Sequence, residues 1–235
     1  IHVLLYLMGP ALIELKGITC VSEDGGVIFE DAHLSLYGGE RALIAGPPAS
    51  GKGPLLRLIA GLERPIRGEV LLFGKDISGL EGRELNDLRK RMGFIFNDNI
   101  LISNLKVVEN AALPLIYHSR LTYQESMERA LELLDLAGYR GDPWALPGPL
   151  PLYAKKEVCV ARAISMEPDI VICESFTDGL TGPEKERLST LLAGYQGGAP
   201  GRLLVLTAGD ESEAVFFKAD RIVRIEGRGF AGQAR

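Results

Sequence analysis

Gly46-Pro47-Pro48-Ala49-Ser50-Gly51-Lys52-Gly53 decides how the rest of this chain is read. The octet fits G-x-x-x-x-G-K, a turn whose backbone N–H groups and lysine cradle phosphate. Arg41-Ala42-Leu43-Ile44-Ala45 before it reads as an apolar strand, and Leu55-Leu56-Arg57-Leu58-Ile59-Ala60 after it as a helix. Strand, turn and helix in that order are the context the motif needs. The last position breaks the pattern. Gly53 stands where a Ser or Thr hydroxyl would ligate Mg²⁺.

Outward from the loop, strand and helix signals alternate. Leu12-Ile13-Glu14-Leu15 and His33-Leu34-Ser35-Leu36 read as strands, with Gly25-Gly26 and Gly38-Gly39 as turns. Glu69 to Phe73 reads as a strand closed by Gly74, and Gly93-Phe94-Ile95-Phe96 as another. Residues 122–137 carry Met127, Ala130, Leu131 and Leu134 at helical spacing and stop at Gly138. The proline-rich stretch 141–151 reads as a loop, with a helix resuming near Ala154 and ending before Pro168. Ile170-Val171-Ile172-Cys173 and Leu203-Leu204-Val205-Leu206 are continuous apolar runs, the mark of parallel strands buried on both faces. Ile222-Val223-Arg224-Ile225 is expected to end the sheet. The fold class is α/β: a P-loop NTPase core with a mostly parallel sheet, an N-terminal antiparallel β part and a helical subdomain inserted at about 98–165. Residues 11–235 read as one domain, and 1–10 as an N-terminal extension.

Bulk composition narrows the function classes. The chain has 235 residues and a net charge of −5, which offers no basic patch for nucleic acid. Cys20, Cys159 and Cys173 are scattered, so they read as small buried hydrophobes in a reducing compartment. No apolar run is long enough to span a membrane. Ile1 to Met8 is apolar but lacks a basic segment, so it does not read as a signal peptide; Met8 is a candidate start. The acidic residues near 81–87 and 125–132 read as solvated helix faces.

Residues 11–226 resemble the nucleotide-binding subunit of an ATP-binding-cassette (ABC) transporter. The resemblance rests on Gly46–Lys52, Gly93–Phe96, Val108-Glu109-Asn110-Ala111-Ala112-Leu113-Pro114-Leu115, the segment from Val160 to Ile170, and Thr177, Gly179 and Leu180. The middle segment is most similar to the ATPase subunits of Mla-type lipid-transport systems. The resemblance implies ATP and Mg²⁺ as cofactors and a cytoplasmic place at the inner face of a membrane. It also implies a permease partner and a dimer, either with itself or with another ABC ATPase.

Position by position, the resemblance also implies lost chemistry. In the phosphate loop, Gly46, Ala49, Ser50, Gly51, Lys52 and Gly53 are the binding positions. Pro48 and Pro54 lack an N–H, and Ala49 replaces a glycine that lets the loop curl. Asn97 stands for the family's glutamine and Glu174 for its metal-binding aspartate. Ser175 stands for the glutamate that orients or deprotonates water, and serine is no such base at neutral pH. Ala208 occupies the position of the γ-phosphate histidine, and Thr181 that of an aspartate. The signature loop aligns with Leu150-Pro151-Leu152-Tyr153-Ala154, and no aromatic occurs near Thr19-Cys20-Val21 to stack adenine; Tyr6 is the nearest candidate. The expectation is a pseudoenzyme with no intact catalytic residue, a structural or regulatory subunit of a transport system. Nucleotide affinity is expected to be millimolar or weaker, with phosphate or sulfate still able to enter the loop. The alternative is an atypical but active ABC ATPase. Two local expectations follow: the helix after the loop starts at about Pro54, because proline disfavours the α-conformation at Gly53, and Lys52 pairs with Glu174.

Overall fold

A computed structural model describes residues 11–22, 24–96 and 101–234. The N-terminal extension, Tyr6 and Asn97 lie outside the described residues. The sheet at the centre is built from the continuous apolar runs. β3 (Arg41–Ala45), β6 (Met92–Ile95), β7 (Ile170–Glu174), β8 (Leu203–Ala208), β9 (Arg221–Glu226) and β10 (Gly229–Ala234) form a 6-stranded sheet in the order β10-β9-β3-β8-β7-β6. Neighbours from β9 to β6 run parallel. Because successive strand residues point to opposite faces, each run feeds two cores. Val171, Cys173, Leu204 and Leu206 face one apolar cluster, while Ile170, Ile172, Leu203 and Val205 face the other.

A second, antiparallel sheet of β1 (Ala11–Val21), β2 (Val27–Tyr37), β4 (Arg67–Leu72) and β5 (Lys75–Asp76) covers one face, in the order β2-β1-β4-β5. With helix α1 (Lys52–Ile59) it encloses the second cluster, around Phe29, Leu55 and Ile59. Helix α2 (Gly82–Arg89) follows β5. Between β6 and β7 run α3 (Val107–His118), α4 (Tyr123–Leu136) and α5 (Leu152–Ile164), which pack their buried faces into the first cluster. Thr122 caps α4 reciprocally with Glu125, which explains the sharp start there. Helix α6 (Gly182–Gly197) lies between β7 and β8, and α7 (Ala214–Phe217) between β8 and β9. Among the described residues no helix is long and apolar enough to cross a membrane.

Two expectations change here. The sheet does not end at Ile222–Ile225: β10 adds an antiparallel strand in register from Gly229↔Glu226 to Ala234↔Arg221. Its glycines hide it in sequence, but Phe230 packs on Phe29 with ring centroids 4.9 Å apart. The helix expected near Ala154 starts at Leu152, since the Pro151 ring already fixes φ at −63° at its N-cap. All three cysteines are free and buried, as expected.

Candidate functional site

The phosphate loop joins β3 to α1 at the C-terminal edge of the parallel strands. Its shape is set by left-handed backbone at Ala49 (φ 61°) and Gly51 (φ 103°). Gly51 is obligatory: a Cβ there would stand 2.7 Å from Ile28 Cγ2 and 3.0 Å from Phe29 Cζ. Ala49 carries its Cβ in a conformation that suits glycine, at a cost of order 1 kcal/mol or more. The Ser50 N–H closes the turn onto Pro47 O at 3.2 Å, and the Gly46 N–H donates to Ala208 O at 3.2 Å, fastening the loop to β8. Ser50 Oγ is buried without a hydrogen-bond partner.

Helix α1 starts at Lys52, with Gly51 as its N-cap and the Leu55 N–H bonded to Gly51 O at 2.9 Å. The expected start at Pro54 is therefore corrected. Gly53 lacks the Cβ that makes up part of the clash keeping a pre-proline residue out of the α-region. Pro54 falls in the first turn, where its missing N–H leaves no hydrogen bond broken. The N–H groups of Gly51, Lys52 and Gly53 have no backbone acceptor among the described residues, so they are the donors an anion would meet.

The expected Lys52–Glu174 contact is also corrected. Lys52 Nζ donates to Gly46 O and, at 2.8 Å, to Pro47 O. The loop's own carbonyls lie closer along the chain than the end of β7, and they satisfy the ammonium within the curl. Burial pulls the Lys52 ammonium below the usual lysine range, opposed by the carboxylates of Asp178 and then Glu174.

Across a cleft of about 710 Å³ from the loop stand Glu174, Ser175, Asp178 and Gly209, with Ser22, Asp24 and Ile28 on the rim. The structure thus brings Ala49, Gly51, Lys52, Gly53, Glu174 and Ser175 together, as the sequence implied. Ser175 also has left-handed backbone (φ 43°), and its N–H donates to Thr207 O and Thr207 Oγ1, both at 3.1 Å. Ala208 is buried at the end of β8 and presents no polar side chain. Among the described residues no aromatic lines the cleft, and Phe29, the nearest by sequence, is fully buried behind the loop. The signature position is the start of α5: Pro151 is the N-cap without a side-chain capping bond, Leu152 is exposed, and Tyr153 is half-buried.

The loop lacks the hydroxyl that the resemblance implies as one Mg²⁺ ligand, while the carboxylates of Glu174 and Asp178 border the cleft. Gly53 has no hydroxyl, and a Cβ at that position would stand 3.3 Å from the Arg57 Nη1, a cation where a metal ligand belongs. The same Cβ would lie 3.9 Å from Glu174 Oε1. Sequence reasoning missed Asp178 as a member of this site and Arg57 as its neighbour beside Gly53. Arg57 was legible as the residue one helical turn beyond Gly53. Asp178 was legible as a carboxylate following closely on a buried strand end.

A family model described as ABC transporter matches residues 29–177. A probable ribonucleotide transport ATP-binding protein of Mycobacterium leprae is 32% identical over 200 residues, 85% of this chain and 57% of that protein. An intermembrane phospholipid transport system ATP-binding protein of Haemophilus influenzae is 33% identical over 186 residues, 79% of this chain and 69% of that protein. A dimeric ATP-binding cassette solved in a post-hydrolysis state with ADP and Pi superposes with a TM-score of 0.85 at 28% identity, covering 94% of this chain and 98% of the other. The chain spans about half, 54–57%, of the length of the mycobacterial relatives it matches.

Proposed function

The chain belongs to the ABC transporter family, and on that premise we propose that it is a non-hydrolysing cassette: a structural or regulatory subunit of a membrane transport system. It pairs with a second cassette, as a homodimer or with another ABC ATPase, and docks at the cytoplasmic face on a permease. Lipid is the cargo class we assign, from the likeness to the phospholipid-transport relative. Residues 11–235 act as one cassette, with the helices from 98 to 165 as its helical subdomain.

The observation that carries this reading is Ser175. It lines the cleft, its backbone is held by Thr207, and it is the residue we align with the family's water-activating carboxylate. A serine hydroxyl does not take a proton from water at neutral pH. Phosphoryl transfer depends almost wholly on positioning and charge neutralisation, so the absence of a metal hydroxyl at Gly53 and of an imidazole at Ala208 compounds the loss. With no aromatic among the described lining residues, the cleft also grips adenine poorly.

The test is phosphate release from Mg-ATP by the purified chain beside its Lys52→Ala variant. Equal, background rates are expected, and Ser175→Glu alone leaves them unchanged because Gly53 and Ala208 fail independently. Lys52-dependent turnover of ~1 s⁻¹ or more overturns the proposal in favour of an active ATPase. Micromolar Mg-ATP should likewise leave the melting temperature unmoved, since tight binding would stabilise the fold by roughly 2.7 kcal/mol at 100 times the dissociation constant.

A further inference from the structure

We propose that the groove between α3 and α4 is a docking site for a basic amphipathic helix of a partner protein. The groove shares no lining residue with the phosphate cleft, so the inference does not rest on the reading of that cleft.

About 500 Å³ opens among the end of α3, the turn at 119–121, one ridge of α4 and the turn at 165–167 that leads into β7. The floor is apolar: Leu115 is buried, Met166 half-buried and Leu121 41% exposed. Leucine and an adaptable methionine left open to water within a charged rim are the composition of a contact surface.

The rim is dominated by one sign of charge. Glu125, Glu128 and Glu132 are exposed at i, i+3 and i+7 of α4, so they form a row about 10 Å long on one face. Glu167 adds a fourth carboxylate. It is joined to the row by Arg129, whose Nη1 donates to Glu132 at 2.7 Å and Nη2 to Glu167 at 3.4 Å. Four carboxylates against one guanidinium leave the groove strongly acidic. The acidic stretch of α2 reads the same way in sequence but is balanced: Arg83 and Lys90 pair with Asp87, and Arg64 with Glu81.

This charge selects the occupant. Nucleic acid and an anionic lipid surface are repelled. The carboxylates spread over two helical turns instead of converging on one ion, and no group of three metal-ligating side chains occurs among the described residues. A helix with Lys or Arg at the same three- and four-residue spacing meets the row cation for carboxylate. Leucines on its adjoining stripe then cover Leu121 and Met166. The apolar stripe supplies most of the affinity, and the charges supply orientation and encounter rate.

Fluorescence anisotropy tests this with the whole chain and three labelled peptides of about 14 residues, roughly four helical turns. One carries Lys and Leu at amphipathic spacing, one the same residues with the leucines scattered round the helix, and one Glu in place of Lys. The first should bind one to one in the micromolar range, the second at least about tenfold more weakly, and the third not at all. Glu128→Lys/Glu132→Lys should weaken the first peptide about tenfold or more, and Leu121→Ser about fivefold. Glu81→Lys/Glu84→Lys on α2 makes the same change in net charge and should bind like the wild type. Glu125 is left intact because it caps α4 with Thr122. All five substituted side chains are exposed, and a melting curve of each variant shows that the fold survives. Equal weakening by the two double variants, equal binding of the two basic peptides, tighter binding of the acidic one, or no binding of the first overturns the proposal.

Discussion

Two helices begin at the corners of this fold where the family handles phosphate, and they begin differently. Helix α1 starts from Gly51 in left-handed backbone, with open amides and Lys52 folded into the turn. Helix α5 starts from Pro151 in extended backbone, followed by Leu152 and Tyr153. At the sixth residue the contrast becomes one of charge: Arg57 on α1, Glu157 on α5. The first start keeps the geometry of an anion site and adds a cation. The second keeps a helix but turns apolar outside, with Lys156 and Glu157 both buried within. Backbone shape and phosphate chemistry are thus separable: a helix N-terminus offers its dipole to any anion, but neighbouring side chains decide whether the anion can approach.

The largest test of that contrast is Gly51→Ala set against Pro151→Ala. The first should cost about 3 kcal/mol through left-handed strain and overlap with Ile28 and Phe29. The second should cost well under about 1 kcal/mol, since Pro151 makes no side-chain capping bond. Chemical denaturation reads both, and similar costs would erase the distinction between a constrained start and a tolerant one.

Glu157 gives the next largest effect. Burial pushes its carboxyl up from 4.5 to about 7, against the Tyr153 hydroxyl, Arg140 and Arg187. Between those values the folded protein holds a proton that the unfolded chain has released. Its contribution to stability therefore falls as pH rises through that window and is flat above it. Glu157→Gln should abolish this slope and stabilise the protein near pH 8 by up to about 3 kcal/mol. Unchanged pH dependence in the variant would show that the acidic residue inside α5 is well solvated, contrary to the comparison.

The smallest expected effect sharpens the α1 side. Ala49→Gly relieves left-handed backbone at the price of a looser unfolded chain, so it should be neutral or stabilising by up to about 1 kcal/mol. The same change in an ordinary helix would cost about that much. A clear loss of stability on denaturation would mean the loop is not strained at Ala49.

The fold was legible because its signals are local. Leu203–Leu206 and Ile170–Cys173 can hardly be anything but strands covered on both sides, and the G-x-x-x-x-G-K turn fixes what lies between β3 and α1. The strained Ala49 could also be foreseen, because its consequence is confined to its own φ. What escaped was whatever depends on neighbours. Strand β10 is glycine-rich and earns its place by pairing with β9 and by the ring contact of Phe230. The partner of Lys52 depended on how tightly the loop curls, a tertiary fact, and so did the approach of Arg57 to Gly53. Whether Asn97 reaches the cleft lies outside the described residues.

The contact between Phe230 and Phe29 has a mechanical consequence. Phe29 Cζ lies just behind Gly51, and Phe230 presses on the Phe29 ring, while the Glu30 N–H is tied to Arg228 O at 2.9 Å. The β9–β10 hairpin thus acts as a brace wedged against the back of the phosphate turn. A load applied at β10 would peel that strand from β9 and slacken the turn before the parallel strands feel any force, so tension at this edge of the sheet is transmitted first to the anion-binding corner.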